Sequence, residues 1–325
     1  MITALALLGY AACAAWCVPV LLAPLTRRGA SVRAGLAAWL TAMASVLVSA
    51  AVAIQFSLRT VAADWPQLTR ALCRSVAGGA CTPAVYGSVV YQAGVIVLAV
   101  SLTLAGAVAA WRYGRRVRRS RAQTRSHARA ALLVGRAIAG QARTVMLDDP
   151  RPAAYCVAGR PAAIVVTSGA LAVLDPPQLA AVLAHESAHL AHGHHALATV
   201  TRGLAAAFPG VPLFTRGAAE VARLTEMAAD DTATRSSGRP ALVTALIAIA
   251  TGAAVSSAAA AGAGIRGAAA PAGTMAAAAR AVPDRVERLL RPSSRARAAA
   301  FAAALTLALT LLAAAPPALT FLATR

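Results

Sequence analysis

The segment Asp175–Leu190 reads DPPQLAAVLAHESAHL and predicts a helix with a defined start. Asp175 is a residue type that caps helices, Pro176 suits the first helical position, and Gln178 stands at the spacing of a capping box. Apolar residues then recur every three or four positions, which is typical of a helix that buries one face. This helix contains His185-Glu186-Ser187-Ala188-His189, whose two imidazoles lie one turn apart on the same side.

Two imidazoles one turn apart can bind one Zn²⁺, and Glu186 lies next to them in position to act as a base. The alternative is a chance match on a surface helix with two solvated histidines. Charged and polar side chains on an otherwise apolar helix carry a free-energy cost, which favours a use for them. The segment therefore predicts the metal site of a zinc-dependent peptidase, with His185 and His189 as ligands and Glu186 as the catalytic base.

A catalytic zinc takes a third protein ligand and leaves a position for water. The chain has only 11 acidic residues, and after His189 the stretch Glu226-Met227-Ala228-Ala229-Asp230 puts two of them one turn apart on a helix predicted over 216–235. We expect Glu226 to bind the metal and Asp230 to accept a hydrogen bond from a ligand histidine. The alternative is a solvated acidic face paired with Arg223.

His195 is the weaker candidate for the third ligand. It follows His189 at the spacing used by zinc peptidases with three histidine ligands. That class needs a glycine three residues after the second histidine, and this chain has His192 there, with Gly193 one position later. We therefore expect His192, His194 and His195 to form the end of the helix, where contact with the membrane or with a ligand remains open to them.

Two short apolar runs before this helix, 155–157 and 163–167, predict a pair of strands. Cys156 stands alone in the first of them, and the sequence pairs it with no base, so we expect it to be a packing residue.

The composition indicates a membrane protein: 59% of the 325 residues are hydrophobic and 4% are aromatic. All 31 basic residues are arginine, and the chain has neither lysine nor asparagine. Such a bias is typical of a bacterium with a GC-rich genome, and it makes the alanine-rich stretches weak evidence about structure.

Apolar windows of about 20 residues predict membrane-spanning helices. There are four of them, Ile2–Leu25, Ala34–Leu58, Tyr86–Trp111 and Ala298–Leu322. The first could be a signal peptide, but it lacks a basic start, so we expect a retained span. Residues 241–261 are a weaker candidate for a fifth span, and we expect them to form a helix packed on the peptidase domain. Residues 204–214 are broken by prolines and predict a loop at the bilayer surface.

The net charge of +20 comes from arginines beside the apolar windows, including nine between Arg112 and Arg136. This distribution fits the positive-inside rule and contact with anionic lipid headgroups, and no motif for nucleic-acid binding is present. We therefore expect a multi-pass protein of the cell membrane with its N-terminus outside and its peptidase site in the cytoplasm. Arginines near the first two windows and at 285–297 agree with this orientation.

The predicted organisation is a three-helix membrane region (1–111) with an external loop (61–85), an arginine-rich cytoplasmic linker or helix (112–142), a zinc peptidase domain (143–296) and a final transmembrane helix (297–325). Cys73 and Cys81 fall in the external loop, where an oxidising compartment would permit a disulfide. The sequence predicts no particular oligomeric state.

With these motifs in place, the chain resembles the integral-membrane zinc metallopeptidases of the BlaR and MecR antirepressor type and, more distantly, the HtpX-type membrane proteases. The resemblance rests on IVVTSGALAVLDPPQLAAVLAHESAHL at 164–190, EMAAD at 226–230, three spans before them and one after. It implies a mainly α-helical membrane protein with a cytoplasmic α+β gluzincin-like domain between the third and fourth spans. It also implies zinc held by His185, His189 and Glu226, with Glu186 as the base.

The resemblance to the BlaR type lacks one part, because the chain shows no penicillin-binding domain after the last span and β-lactam sensing is not implied. The expected partners are the lipid bilayer and a protein substrate, either a transcriptional repressor or, as in HtpX-type enzymes, membrane proteins under quality control. A membrane signalling scaffold with structural zinc is the non-enzyme alternative. Glu186 argues against the scaffold, since a structural site needs no base.

Overall fold

The computed structural model describes residues 2–27, 31–76, 83–138, 143–159, 161–262, 282–291 and 295–324. Within these ranges the chain is mainly helical, with one small sheet between the third and fourth helices. The elements are α1 (Ile2–Thr26), α2 (Val32–Val76), α3 (Pro83–Val134), β1 (Arg136–Ala137), β2 (Thr144–Leu147), β3 (Ala154–Val157), β4 (Ala163–Thr167), α4 (Ser168–Val173), α5 (Pro176–Ala191), α6 (His194–Ala207), α7 (Pro212–Ser237), α8 (Arg239–Gly262), α9 (282–290) and α10 (Arg295–Thr324).

Four of the described helices are long and apolar enough to cross a membrane, which confirms the predicted number of spans. The candidate segments are Ile2–Thr26, Val32–Pro66, Val89–Val134 and Ala298–Ala318. Side-chain hydrogen bonds link three of them, since the Tyr10 hydroxyl lies 2.7 Å from Ser45 Oγ, which donates to the carbonyl of Leu312 at 2.7 Å. Hydrogen bonds between membrane helices satisfy polar groups to which lipid tails offer no hydrogen-bonding partner.

The predicted external loop at 61–85 is wrong in its local structure. Helix α2 continues to Val76 and α3 begins at Pro83, so most of this segment is helical. An unbroken periodic pattern lets a helix extend beyond the apolar window that marks a span. The predicted disulfide falls on Cys73 and Cys81, and their side chains lie outside the described residues.

The arginine-rich segment continues α3 as a single helix to Val134. Near its end Ala128 and Ala131 pack against Val145, Val157 and Val165 of the sheet. The third span is therefore joined to the sheet by continuous helix, and the domain boundary predicted at 143 stays a prediction.

The sheet has the strand order β1-β2-β4-β3, with β2 and β4 parallel and the other pairs antiparallel. The structure confirms the two predicted strands as β3 and β4, paired so that Tyr155 faces Val165. All five residues of β4 are buried, because the strand is central and helices pack on it. Since β3 is at the end of this order, one edge of it is unpaired among the described strands.

Helix α5 begins as predicted. Asp175 accepts a hydrogen bond from the backbone N–H of Gln178 at 2.8 Å, and the Gln178 side chain accepts one from the Asp175 N–H at 3.0 Å. The helix ends at Ala191, and Gly193 adopts φ +64°, a left-handed conformation that favours glycine. The prediction that His194 and His195 belong to the helix end is wrong, because this glycine redirects the chain and both residues open α6.

The predicted loop at 204–214 is also too long. Helix α6 reaches Ala207 and α7 begins at Pro212, so only residues 208–211 are non-helical. Proline at the first position of a helix costs no hydrogen bond, which explains why Pro212 starts α7 instead of breaking it.

Helix α7 packs on the membrane helices as well as on α5. Its apolar residues Phe214, Val221 and Leu224 join Leu22 of α1 and Trp39 of α2 in one buried cluster. The peptidase helices and the spans therefore share a hydrophobic core.

Helix α8 covers the candidate fifth span and packs on the peptidase domain, as expected. Leu242 and Val243 cluster with Ala181 of α5 and Ala233 of α7. These contacts hold α8 against α5, the helix that carries His185 and His189.

Replacing Asp175 by Ala removes the capping box that starts α5. We expect the free energy of unfolding to fall by about 1 kcal/mol, since an unsatisfied helix start costs that much. Chemical denaturation of the detergent-solubilised protein, followed by circular dichroism, measures it. Asp175→Asn is the matched control, because asparagine caps equally well, and a loss as large as that of the Ala variant would contradict this role.

Candidate metal centre

Helix α5 brings His185 and His189 together. Both are buried, at 7% and 9% exposure, and their Nε2 atoms lie 3.1 Å apart. One imidazole can donate to the other at this distance only while its Nε2 carries a proton, and neither can donate once both are neutral with their proton on Nδ1. The arrangement instead directs two lone pairs at one point.

Glu226 of α7 completes the group. Its Oε2 lies 3.5 Å from His185 Nε2 and its Oε1 lies 3.5 Å from His189 Nε2. Donors bound about 2.0–2.2 Å from one tetrahedral zinc ion are separated by roughly 3.2–3.6 Å. Here the two imidazole nitrogens are 3.1 Å apart and each lies 3.5 Å from a different oxygen of Glu226, so the carboxylate faces the point that the imidazoles share. Among the described residues these three form a group of the kind that could hold a metal.

Asp230 lies one turn after Glu226 and is fully buried. Its Oδ1 is 3.1 Å from Nδ1 of His185. A proton on Nδ1 then donates to Asp230 and leaves the Nε2 lone pair free for a metal.

Arg285 of α9 is a residue of this centre that the sequence analysis did not identify. Its Nε donates to Asp230 Oδ2 at 2.9 Å, a second N–H donates to Oδ1, and Nη1 lies 3.4 Å from Glu226 Oε2. The sequence does contain a signal for this residue. Arg285 lies three positions after Val282 and four before Leu289, so it shares a helix face with two apolar residues. The sequence places Arg285 and Arg288 in the positive-inside pattern. In the structure Arg285 pairs with Asp230 and Arg288 pairs with Asp231 at 2.7 Å, so both act within the peptidase domain.

His194 contacts the other ligand histidine. Its Nδ1 lies 3.0 Å from Nδ1 of His189, and the ring is buried at 5% exposure. The turn at Gly193 makes this contact possible by starting a new helix at His194. Each of the two histidines of α5 therefore has a partner on Nδ1 and keeps Nε2 for the shared point.

His195 points elsewhere. Its Nε2 lies 3.1 Å from Sγ of Cys156, and it is not part of the group formed by His185, His189 and Glu226. Burial raises the pKa of the Cys156 thiol, and the nearby charge of Glu186 adds to the effect. The thiol therefore stays protonated and unreactive, in line with the packing role expected for it.

Glu186 lies beside the group and accepts a hydrogen bond from the backbone N–H of Cys156 at 2.8 Å. Burial raises the pKa of Glu186, against the charge of His185, which lowers it. A carboxylate with a raised pKa is a stronger base, which suits the removal of a proton from water.

The protonation states in the absence of metal divide the two histidines. Burial lowers the pKa of His185, but its contacts with Asp230 and Glu226 outweigh burial and raise that pKa to about 9. Burial lowers the pKa of His189 to about 3. Burial would raise the pKa of Glu226, but His185 and Arg285 lower it to about 2. A metal must therefore displace one proton, from His185, because His189 is already neutral and Glu226 ionised.

Comparison with known proteins identifies a family and, among the relatives, a membrane protease homolog. Residues 118–296 match the model of Peptidase family M48. A Protease HtpX homolog from Acidiphilium cryptum (strain JF-5) is 42% identical over 67 residues, which is 20% of this chain and 23% of that protein. The aligned part thus spans about a quarter of the relative's length. No solved structure matches the chain.

Removing the Arg285 guanidinium leaves the buried carboxylate of Asp230 with only His185 beside it. An uncompensated buried charge costs about 3–5 kcal/mol, so we expect Arg285→Ala to lower the stability of the protein by that order. Burial raises the pKa of Asp230, while hydrogen bonds from Arg285 and His185 hold it well below its usual value. Its stabilising contribution is therefore present above the unfolded-state pKa and is lost as the pH falls through the lower folded-state pKa.

In Arg285→Ala the folded-state pKa of Asp230 moves up, so acid unfolding should begin at a higher pH than in the wild type. Thermal unfolding measured from about pH 2 to about pH 8 tests both effects, because the contribution of Asp230 is lost below its unfolded-state pKa. Arg288→Ala is the matched control, because its partner Asp231 is 39% exposed and the pair should contribute about 1 kcal/mol or less. Equal losses in the two variants would contradict the role assigned to Arg285.

Proposed function

Because the chain belongs to Peptidase family M48, we propose that it is a zinc-dependent endopeptidase of the membrane, with zinc held by His185, His189 and Glu226. The observation that carries the proposal is the convergence of three donor atoms within 4.8 Å of one another, next to the half-buried carboxylate of Glu186. A structural zinc site usually closes with a fourth protein ligand and needs no base, which favours catalysis over a signalling scaffold.

Zinc bound by these residues would lower the pKa of a water toward about 7 and polarise the carbonyl of a peptide bond. Glu186 takes the proton from the attacking water and later delivers it to the leaving amine. Its position suits both steps, because burial raises the pKa of this carboxyl and so makes the carboxylate a better base and the acid form easier to reach. Asp230 and His194 keep the protons of both ligand histidines on Nδ1 throughout.

The unpaired edge of β3 supports a binding mode for the substrate. Thr167 N–H donates to Ala153 carbonyl at 3.0 Å, so in this antiparallel pair the backbone groups of Ala154 and Cys156 point away from β4. The Cys156 N–H already points at Glu186. A peptide added along β3 as an extra strand would therefore pass beside the catalytic carboxylate.

Two versions of the substrate follow from the resemblances of the sequence. A BlaR or MecR type of enzyme would cleave a transcriptional repressor, and an HtpX type would cleave membrane proteins in quality control. The match to a Protease HtpX homolog supports the second version. Packing of α7 on the spans supports it as well, because it keeps Glu226 close to the membrane.

We also propose that the peptidase domain faces the cytoplasm. Support comes from the arginines of α3, which follow the third span directly and have no acidic residue among them.

Replacing Glu186 by Gln removes the base and leaves the ligands in place. We expect kcat/KM for casein to fall by about 10²–10⁴-fold, while the zinc content of the purified protein stays unchanged. Glu226→Ala should lose zinc, since two histidines alone hold it weakly. Atomic absorption and a casein or self-cleavage assay measure these effects.

His195→Ala and Cys156→Ala are the matched controls. Both alter side chains beside Glu186 without removing a proposed ligand, and Cys156→Ala keeps the backbone N–H that bonds to Glu186. Both should retain zinc and activity. Full activity in Glu186→Gln would exclude this mechanism. Loss of zinc in His195→Ala, with normal zinc in Glu226→Ala, would show that His195 and not Glu226 is the third ligand.

Orientation is tested with a reporter that works only in the cytoplasm. With four spans and an external N-terminus, a fusion at Arg325 should be inactive, whereas a fusion to a chain truncated after Val134 should be active. Activity at both positions would instead indicate a fifth span at 241–261.

A further inference from the structure

Helices α6 and α7 pass the level at which the membrane helices end. Arg223 of α7 donates hydrogen bonds to the backbone carbonyls of Thr26 and Arg27, at 2.9 and 2.8 Å, where α1 ends. Gly203 of α6 packs against Tyr113 and Val117, just after the third span gives way to arginines. Residues 203–219 connect these two contacts along the chain and lie on the membrane side of both.

The contacts of α7 give the depth of this segment. Leu224 packs on Gly35 near the start of α2, whereas Gly217 packs on Trp39 and Met43, further along α2. Because α2 enters the span after Arg33, Trp39 and Met43 lie about 9–15 Å along the helix from that arginine. The first turns of α7 therefore lie beside the apolar part of a spanning helix.

The composition of the segment suits this depth. Residues 203–219 read GLAAAFPGVPLFTRGAA, with Arg216 as the single charged residue. A long arginine side chain near the edge of a bilayer can extend its guanidinium toward the headgroups. Pro209 and Gly210 at the tip are exposed in the structure, so no described part of the chain covers them.

The turn between the two helices satisfies most of its own backbone N–H groups, and among residues 208–212 the N–H of Gly210 is the exception. Pro209 and Pro212 have no N–H, the Phe208 N–H donates to Leu204 at 2.9 Å, and the Val211 N–H donates to Phe208 at 3.1 Å. The Thr215 hydroxyl donates to the Val211 carbonyl at 3.3 Å. Internal pairing of this kind is what hydrocarbon requires of a non-helical segment.

We propose that residues 203–219 form a re-entrant hairpin, whose tip at 208–211 lies among the acyl chains of the leaflet on the arginine-rich side. The stretch of α6 from Gly203 to residue 208 and the stretch of α7 from Arg223 back to residue 211 bring the tip roughly 7 Å and roughly 18 Å, respectively, beyond those two contacts. The occupant of the exposed tip is thus lipid, and the hairpin is continuous with the apolar cluster that α7 shares with α1 and α2.

The wild-type protein, reconstituted in phosphatidylcholine vesicles that carry a diazirine at the end of the acyl chain, provides the first test. Trypsin cleaves after Arg202 and Arg216 and so releases residues 203–216, which contain the tip, as one peptide. Cleavage after Arg223 and Arg235 releases residues 224–235 of α7 as another. After illumination, mass spectrometry should find the lipid adduct on 203–216 and not on 224–235. Absence of the adduct from 203–216, with adducts present on the peptides of the spans, would overturn the proposal.

A second measurement uses Gly210→Cys in a variant without other cysteines. A Cβ at Gly210 meets no atom within 4 Å, so the substitution fits without a clash. A nitroxide at this position should be relaxed by oxygen and shielded from a water-soluble nickel chelate, as at Leu307→Cys in the last span. The reverse pattern, as expected at exposed Arg235→Cys, would place the tip in water and overturn the proposal.

Discussion

Helix α7 is packed on two sides, against the metal centre and against the membrane helices. One face carries Glu226 and Asp230 toward the histidines of α5, and another buries Phe214, Val221 and Leu224 against the membrane helices. Because a helix keeps its side chains at fixed angles, the depth of α7 in the membrane and the position of Glu226 cannot change independently. The fixed relation between α5 and α7 depends on this double packing, and so does the shape of the metal centre.

The centre concentrates charge in a buried place and balances it internally. Asp230 and Glu226 are held ionised by Arg285 and by His185, while His189 stays neutral. Removing a charged group from water is costly unless partners replace the lost hydration, and here each buried charge has a partner within hydrogen-bonding distance or close to it. Arg285 comes from α9, so the segment just before the last span is needed to stabilise ligands that lie far earlier in the sequence.

Much of the site could be predicted from sequence because its signals are local. A capping box, two histidines one turn apart and two acidic residues one turn apart each follow from helix periodicity, and the structure brings them together. Residues that depend on tertiary contacts were missed. His194 reaches His189 only because Gly193 turns the chain, and Arg285 looked like one of many membrane-proximal arginines until its partner Asp230 was known. Strand β1 has two residues and exists through pairing with β2, so it has no sequence pattern of its own.

The hydrogen bonds from Arg223 to the end of α1 fix the distance of the metal centre from that end. Glu226 lies one turn beyond Arg223, so it stands about 5 Å from the level at which α1 ends. An extended chain covers about 3.3 Å per residue, and a membrane-anchored polypeptide would therefore meet the centre within a few residues of leaving the bilayer. A metal centre held at this distance would select a cleavage position by its height above the membrane, with little dependence on the side chains on either side of the cleaved peptide bond.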